Sequence, residues 1–422
     1  MTGKCPFMGR REMLLGLGKA GGAAAIGGLI GRAGIPDATA QSAPVAGPDD
    51  ELYAVLPFHG VHQAGVVTPR PQFATVAAFD VLAANRSDLQ RLFQTLTGRF
   101  FFLTKGGPAA TADPKFPPPE SGLLGPVVLP GRLTMTLSLG ASLFDRRFGL
   151  AGMKPSQLKR MPSFPNDALD IDQSHGDLLI QICSESENVN VHALRDIIKN
   201  TPSWLSMRWK LDGFLPAVSQ RREAERNLLG FKDGTANPSP TDAGLMDRLV
   251  WVQKGLSEPD WATGGSYQVV RIIRNFVERW DRTPLQEQQA IIGRDKASGA
   301  ALGLANEHDV PDYGKDPEGE VMPLDAHIRL ANPRTSETAS SIILRRPFNF
   351  SRGVTRAGQL DMGLLFVCFQ SDLEKGFVAV QQRLNGEPLE EYIKPVGGGF
   401  FFVLPGVQSG SGYLGEGLFA TA

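Results

Sequence analysis

The sequence contains few cysteines and no long uninterrupted hydrophobic run. Cys5, Cys183 and Cys368 are the three cysteines among 422 residues. No Cys-x-x-Cys pair occurs, so the usual spacings of zinc and iron–sulfur sites are excluded, and without Cys-x-x-Cys-His a covalently attached c-type haem is excluded too. The net charge of −1 offers no positive surplus for binding a nucleic acid. With 42% hydrophobic and 21% charged residues, the composition is that of an ordinary globular protein.

The N-terminal segment is predicted to be a targeting signal. Arg10-Arg11 precedes an apolar run rich in Gly and Ala at 13–30, and Ala38-Thr39-Ala40 follows as a cleavage pattern. The paired arginines resemble a twin-arginine export signal. An uncleaved anchor is the alternative, but the run is interrupted by glycines and Lys19, which makes it a poor membrane span. We therefore expect residues 1–40 to be removed and the mature chain to be periplasmic.

The rest of the chain shows the same order of elements twice. A β-rich segment at 73–81 precedes a helical pattern that begins near Leu89 and is expected to end at Gly98. In the second half, a strand at 267–276 precedes a helix that Pro284 opens and Gly293 ends. In each half the elements follow the order strand, helix, strand, strand, helix, strand. This order predicts an α+β protein with duplicated ferredoxin-like domains, at 41–220 and 221–422. Two stacked antiparallel sheets would then leave a cleft for a large flat ligand.

Three polar segments in the second half carry the residue types that redox chemistry needs. They read GFKDGTANP at 230–238, HIRLANPR at 327–334 and ILRRPFNFSR at 343–352. An imidazole such as His327 can bind iron axially, and a carboxylate such as Asp233 beside a cation such as Arg345 can split a peroxide bond. An Asx turn is the alternative for Asp233, since this is a common fate of Asp beside Gly.

His327 is the preferred iron ligand among six histidines because basic residues follow it closely. Arg329 would share a strand face with His327 and could reach a haem propionate, with a surface ion pair as the alternative. Arg345 and Arg346 are adjacent, so on a strand only one of them can point into the pocket. Arg346 is expected to be the other one and to face solvent or a propionate.

The three segments resemble those of the DyP-type (dye-decolourising) peroxidases, whose G-x-x-D-G motif supplies a distal Asp. The resemblance implies haem b in the cleft of the C-terminal half, with His327 as its iron ligand. It implies Asp233 as the acid/base and Arg345, chosen by its spacing from the histidine, as the distal cation. Phe366 would belong to an apolar distal wall together with Leu364, although core packing explains both equally well.

An acidic partner for the His327 imidazole is also expected from the resemblance. Glu391 lies near the position where relatives place such a carboxylate, and a solvated acidic pair is the alternative. The exported branch that the sequence resembles is associated with bacterial iron uptake.

The expected function is reduction of hydrogen peroxide coupled to oxidation of dyes, phenols or porphyrinogen-type donors. Bulky donors would react at a surface aromatic residue such as Trp251 or Trp261. Iron release from haem and a haem-carrier role are the alternatives. Components of an iron-uptake permease are candidate partners, and a homodimer is a further expectation.

Overall fold

The computed structural model describes residues 52–216, 224–255, 257–408 and 410–420. The predicted signal at 1–40 lies outside these residues, and so does the predicted domain boundary between residues 220 and 221. None of the helices in the described ranges is both long enough and apolar enough to cross a membrane.

The N-terminal half consists of four main strands and two helices. In chain order its elements are β1 (Phe73–Val81), α1 (Arg86–Lys105), β2 (Gly107–Pro108), β3 (Val127–Val128), β4 (Thr134–Gly140), β5 (Leu178–Ser184), α2 (Glu187–Asn200) and β6 (Leu205–Phe214).

The C-terminal half has the same four-strand plan with shorter helices. Its elements are α3 (Ala243–Leu249), β7 (Ser266–Asn275), α4 (Val277–Trp280), α5 (Leu285–Ile292), α6 (His327–Ala331), β8 (Leu344–Arg345), β9 (Phe348–Val354), β10 (Leu360–Gln370), a π-helical turn (Glu374–Val378), α7 (Ala379–Leu384), β11 (Ile393–Val403) and α8 (Gly417–Ala420).

Both halves arrange their four main strands in the same order. The N-terminal order is β4-β5-β1-β6 and the C-terminal order is β9-β10-β7-β11, so in each half the first strand lies between the third and the fourth. All of these pairings are antiparallel. This confirms the predicted fold class of duplicated ferredoxin-like units.

The two four-stranded sheets are joined edge to edge rather than stacked separately. Strand β11 pairs with β4, and β6 pairs with β9, which closes the strands into one ring. Side chains on alternate faces then contribute to two different cores. Tyr267 and Val269 belong to the core that contains the buried faces of α1 and α2, whereas Val270 belongs to the other.

Two local predictions differ from the structure. Helix α1 does not end at Gly98 but continues to Lys105, because Phe100 and Leu103 extend its buried face. A glycine inside a helix costs only about 1 kcal/mol relative to alanine, which this packing outweighs. The segment that begins at His327 is the short helix α6 and not a strand.

Candidate functional site

One cavity in the C-terminal half brings together residues from all three polar segments. Asp233, His327 and Arg345 line it, as does the predicted wall residue Phe366. The cavity holds about 1820 Å³, including the space at its open mouth. Its walls are largely apolar, with contributions from Ile273, Ile292, Leu364, Phe377 and Leu389. An apolar cavity with a few converging polar groups is typical of a cofactor site.

Asp233 and Arg345 form an ion pair at this cavity. The distance from Arg345 Nη1 to Asp233 Oδ1 is 2.8 Å, and both side chains are only partly exposed. Asn237 holds the two segments in register, because its amide donates to the Arg345 carbonyl (2.9 Å) and its Oδ1 accepts from the Arg345 N–H (2.8 Å). Asn237 belongs to the first polar segment, but the sequence did not predict this role.

The glycines of the first segment determine where the Asp233 side chain lies. Gly230 and Gly234 have φ angles of 85° and 112°, a region that L side chains rarely adopt. A Cβ at Gly230 would lie 2.7 Å from a side-chain carbon of Lys296. Between them, the Asp233 N–H donates to the Glu225 carbonyl at 2.8 Å. The loop is therefore fixed at its backbone, and the carboxylate is left for Arg345 and the cavity.

The partner of His327 is Glu387, not Glu391. His327 Nδ1 lies 2.7 Å from Glu387 Oε2, and the Glu387 side chain is 4% exposed. Burial disfavours the charged imidazole, but the charge and hydrogen bond of Glu387 outweigh it and hold the pKa of His327 above its usual value. Glu391, the predicted partner, lies 61% exposed at the surface and pairs with Arg279. No signal in the sequence distinguished Glu387 from its acidic neighbours.

Helix α6 is fixed at its C-terminal end by Arg383. The Arg383 guanidinium donates to the carbonyls of Leu330 (3.1 Å) and Ala331 (3.0 Å). A cation near the last carbonyls of a helix also interacts favourably with the helix dipole. This contact sets the direction of α6 and therefore of His327 at its first residue.

Arg329 does not line the cavity, in contrast to the predicted propionate contact. It donates to the Met322 carbonyl at 2.9 Å and to the Asp316 carbonyl at 2.7 Å, and it pairs with the Asp316 carboxylate at 3.3 Å. The reason is the helical conformation, since residues two apart on a helix do not face the same side. Arg329 instead fastens the preceding loop to α6.

Arg346 is buried, at 4% exposure, and donates to the carbonyls of Thr68 and Pro69. The expectation that it faces solvent or a propionate is therefore wrong. Arg346 directly follows the last residue of β8, and adjacent residues of an extended segment point to opposite sides, so it points away from the Arg345 side.

Three other arginines line the cavity: Arg271, which pairs with Asp167, and Arg294 and Arg334, which supply positive charge. Arg294 is 6% exposed and donates to the Gly299 carbonyl at 2.7 Å. Arg334 has a φ of 60° and also lines the cavity. Burial, followed by the nearby charge of Arg345, lowers the pKa of Arg294. Among the described acidic residues, none forms an ion pair with Arg294 or Arg334.

These features fit a haem. His327 has Nδ1 held by Glu387, and Nε2 has no hydrogen-bond partner within the described part of the chain. Axial histidines in haem and metal sites are held in this way through their second nitrogen. The apolar walls suit the porphyrin, and Arg294 and Arg334 are cations available for its carboxylates. The cavity is therefore suited to a haem, and it places a carboxylate and a cation in the same space as a histidine whose Nε2 is available.

Comparisons with known proteins agree with a haem cofactor. Residues 63–215 match the N-terminal family of Dyp-type peroxidases, and residues 224–408 match the C-terminal family. The deferrochelatase of Escherichia coli strain 536 is 58% identical to the chain, over 90% of this chain and 90% of that protein. The deferrochelatase of Yersinia pseudotuberculosis is 55% identical, over 97% of this chain and 94% of that protein.

Solved structures give the same assignment. A DyP-type peroxidase from Cellulomonas bogoriensis has a TM-score of 0.79 at 34% identity, covering 88% of this chain and 99% of that one. Ferric DtpA from Streptomyces lividans has a TM-score of 0.80 at 34% identity, covering 89% and 99%. The chain belongs to the DyP-type peroxidase family, and it is a haem peroxidase.

Proposed function

We propose that this chain is an exported haem b peroxidase that reduces hydrogen peroxide and oxidises small organic donors in the periplasm. The observation that carries the proposal is the Asp233–Arg345 pair in the same cavity as the Glu387-anchored His327. Haem b is favoured over a covalent haem because the sequence has no Cys-x-x-Cys-His segment.

The protein side chains would divide the work between holding the haem and handling the proton and the charge of the peroxide. His327 would hold the iron through Nε2 while its Nδ1–H donates to Glu387, which makes the imidazole a stronger donor. Bound haem would supply an iron centre that binds peroxide and exchanges electrons with it. Asp233 would accept the proton from the inner peroxide oxygen and return it to the outer one. Arg345 would stabilise the negative charge that develops as the O–O bond breaks.

The central experiment is the absorption spectrum of the purified haem-loaded protein. One equivalent of hydrogen peroxide should shift the haem band, and an aromatic donor should restore it in two one-electron steps. An unchanged band would contradict the proposal and favour a haem carrier.

Iron release from haem is the second candidate. It is favoured by the names of relatives that are 55–58% identical, which are deferrochelatases. Iron-free porphyrin, detected by its fluorescence after incubation with haem and a reductant, would support it. Association with components of an iron permease belongs to this second candidate.

Export is proposed from Arg10-Arg11 and Ala38-Thr39-Ala40. Replacing both arginines by lysine should retain the chain in the cytoplasm, and mass spectrometry of the exported protein should show a start near Gln41. Retention of residues 1–40 in a membrane fraction would contradict this and support an anchor.

A further inference from the structure

Glu307 lies beside the loop that carries Asp233 and contacts one residue on each side of it. It belongs to the long connection between α5 and α6. Glu307 Oε2 lies 2.7 Å from Lys232 Nζ, and Glu307 Oε1 accepts from the Thr235 hydroxyl at 3.0 Å. The Lys232 and Glu307 side chains are 8% and 13% exposed, so solvent screens this ion pair little. A single carboxylate therefore holds the loop both before and after the acid/base.

Glu307 does not itself line the haem cavity, whereas the residues that it holds do. Lys232, Asp233 and Thr235 all line the cavity. Glu307 lines an adjoining surface pocket, and Thr235 belongs to the walls of both spaces. The Glu307 carboxylate would therefore affect the reaction with peroxide through the loop and not by direct contact.

The backbone of the loop is fixed independently of Glu307. The Asp233 N–H donates to the Glu225 carbonyl at 2.8 Å. The Glu225 carboxylate in turn accepts from Arg70 Nη2 at 2.9 Å, and Arg70 Nη1 donates to the Pro347 carbonyl at 2.7 Å. A substitution of Glu307 should therefore leave the loop in its place beside β8 and remove only the contacts at Lys232 and Thr235.

The position of Glu307 is set by the start of the same connection. Arg294 Nη1 donates to the Gly299 carbonyl at 2.7 Å and, at a longer 3.4 Å, to the Glu307 carbonyl. Gly299 has a φ of 79°, and a Cβ at this position would lie 2.7 Å from Lys232 Cδ. The turn at Gly299 thus packs directly on the aliphatic part of Lys232, and a glycine leaves the room that this contact needs.

Glu307 is an anion at neutral pH. Burial disfavours its charged form, but the hydrogen bonds from Lys232 and Thr235 outweigh this effect and hold the pKa of Glu307 below its usual value. Hydrogen bonds to a charged acceptor are stronger than those between neutral groups. The ionised carboxylate is thus well suited to restrain both side chains at once.

We propose that Glu307 is a positioning residue for peroxide cleavage, which holds Lys232 and Thr235 so that the Asp233 carboxylate meets the peroxide oxygens. The inference rests on the proposed peroxidase function and on Asp233 as its acid/base. A displacement of about 1 Å in a reacting group can cost about 10²-fold in rate. The connection that contains Glu307 also ends at His327, so one segment of the chain places the iron ligand and supports the acid/base.

The test is the rate at which peroxide changes the haem absorption of the haem-loaded protein in stopped flow. Glu307→Ala should retain haem and slow this step by about 10²-fold. Glu307→Gln should slow it less, because the amide oxygen can still accept the Thr235 hydroxyl. Glu318→Ala is the matched control, since Glu318 is an exposed carboxylate of the same connection and forms no ion pair with any described residue; it should react at the wild-type rate.

Combination with Asp233→Asn distinguishes positioning from a general structural role. If Glu307 acts through Asp233, Glu307→Ala should slow the peroxide step in the wild-type background and add almost no further loss in the Asp233→Asn background. General loosening of the site would instead slow the step in both backgrounds and weaken haem binding. Glu307→Gln, which is nearly the same size as the wild-type side chain, provides the same comparison where Glu307→Ala prevents folding.

A wild-type rate in both Glu307 variants, or an equal loss with and without Asp233, would overturn the positioning role and leave the proposed function intact. An unchanged rate in Asp233→Asn would contradict the acid/base assignment on which the inference rests. A haem band that peroxide does not change in the wild-type protein would contradict the proposed function itself.

Discussion

Glu387 should control how tightly this protein holds haem, and Glu387→Gln tests this with almost no change in side-chain size. The wild-type hydrogen bond joins His327 Nδ1 to a carboxylate oxygen 2.7 Å away that is shielded from solvent. Hydrogen bonds to charged groups contribute about 1.5–3 kcal/mol, and neutral ones about 0.5–1.5 kcal/mol. The amide can still accept the bond, so the variant should lose about 1–1.5 kcal/mol, the difference between these two ranges.

That loss corresponds to about a tenfold lower affinity for haem, since 1.4 kcal/mol is a factor of ten in a binding constant. Replacement by alanine removes the acceptor altogether and should approach the roughly 100-fold upper end found for the residues that support metal ligands. The reduction potential of the iron should rise in both variants, because a less anionic imidazole stabilises the ferric state less.

The assay is the rate of haem transfer to an excess of apomyoglobin, with a redox titration of each holoprotein beside it. Glu391→Gln is the matched control, because this side chain is 61% exposed and pairs with Arg279 rather than with His327. If Glu391→Gln weakened haem binding as much as Glu387→Gln, or if Glu387→Gln released haem at the wild-type rate, the assignment of Glu387 would be refuted.

Three other predictions follow from the site and its surroundings. His327→Ala should fold but hold little haem, and normal haem occupancy by absorption would move the iron ligand elsewhere. Asp233→Asn and Arg345→Leu should each retain haem but slow its reaction with peroxide, the first by about 10²–10⁴-fold in stopped flow; wild-type rates in both would refute the distal assignment. Arg271 and Asp167 form an ion pair in which each side chain is 1% exposed. Arg271→Met leaves the buried carboxylate without its partner and should lower the free energy of unfolding by about 3–5 kcal/mol in urea denaturation. The double variant with Asp167→Leu should recover most of the lost stability. An additive double variant would contradict a direct pairing.

The strands and their order were accessible from the sequence because strands buried on both faces read as continuous runs rich in apolar and β-branched residues. The predicted strand at 73–81 matches β1, and the predicted strand at 267–276 is shifted by one residue from β7. The edge-to-edge closure of the two sheets is not indicated by any comparable pattern in the sequence. It depends on a few pairs at each junction, such as Phe214 with Asn349, which local sequence does not specify.

The sequence predicted those site residues that stand in short motifs. It did not predict the residue that reaches the site from a distant position in the chain. Asp233, His327 and Arg345 stand in short polar segments, and the structure brings them to one cavity. Glu387 lies 60 positions after His327, and only the packing of α6 against the chain after α7 selects it over Glu391. Arg329 was misplaced because a five-residue helix has too few positions to show a helical period.

The two halves share a strand order, and the difference between their helical layers explains why the cavity lies in only one of them. In the N-terminal half, the connection after the first strand is the 20-residue helix α1, whose buried residues fill the space above the sheet. In the C-terminal half, the corresponding connection contains α4 and α5, of four and eight residues, and reaches α6 only after a long loop. Side chains of β7 and β10 such as Ile273, Leu364 and Phe366 therefore face open space instead of a packed helix. Leaving apolar surface of this kind uncovered costs about 25 cal/mol per Å², and a flat apolar cofactor is the kind of ligand that recovers this free energy on binding.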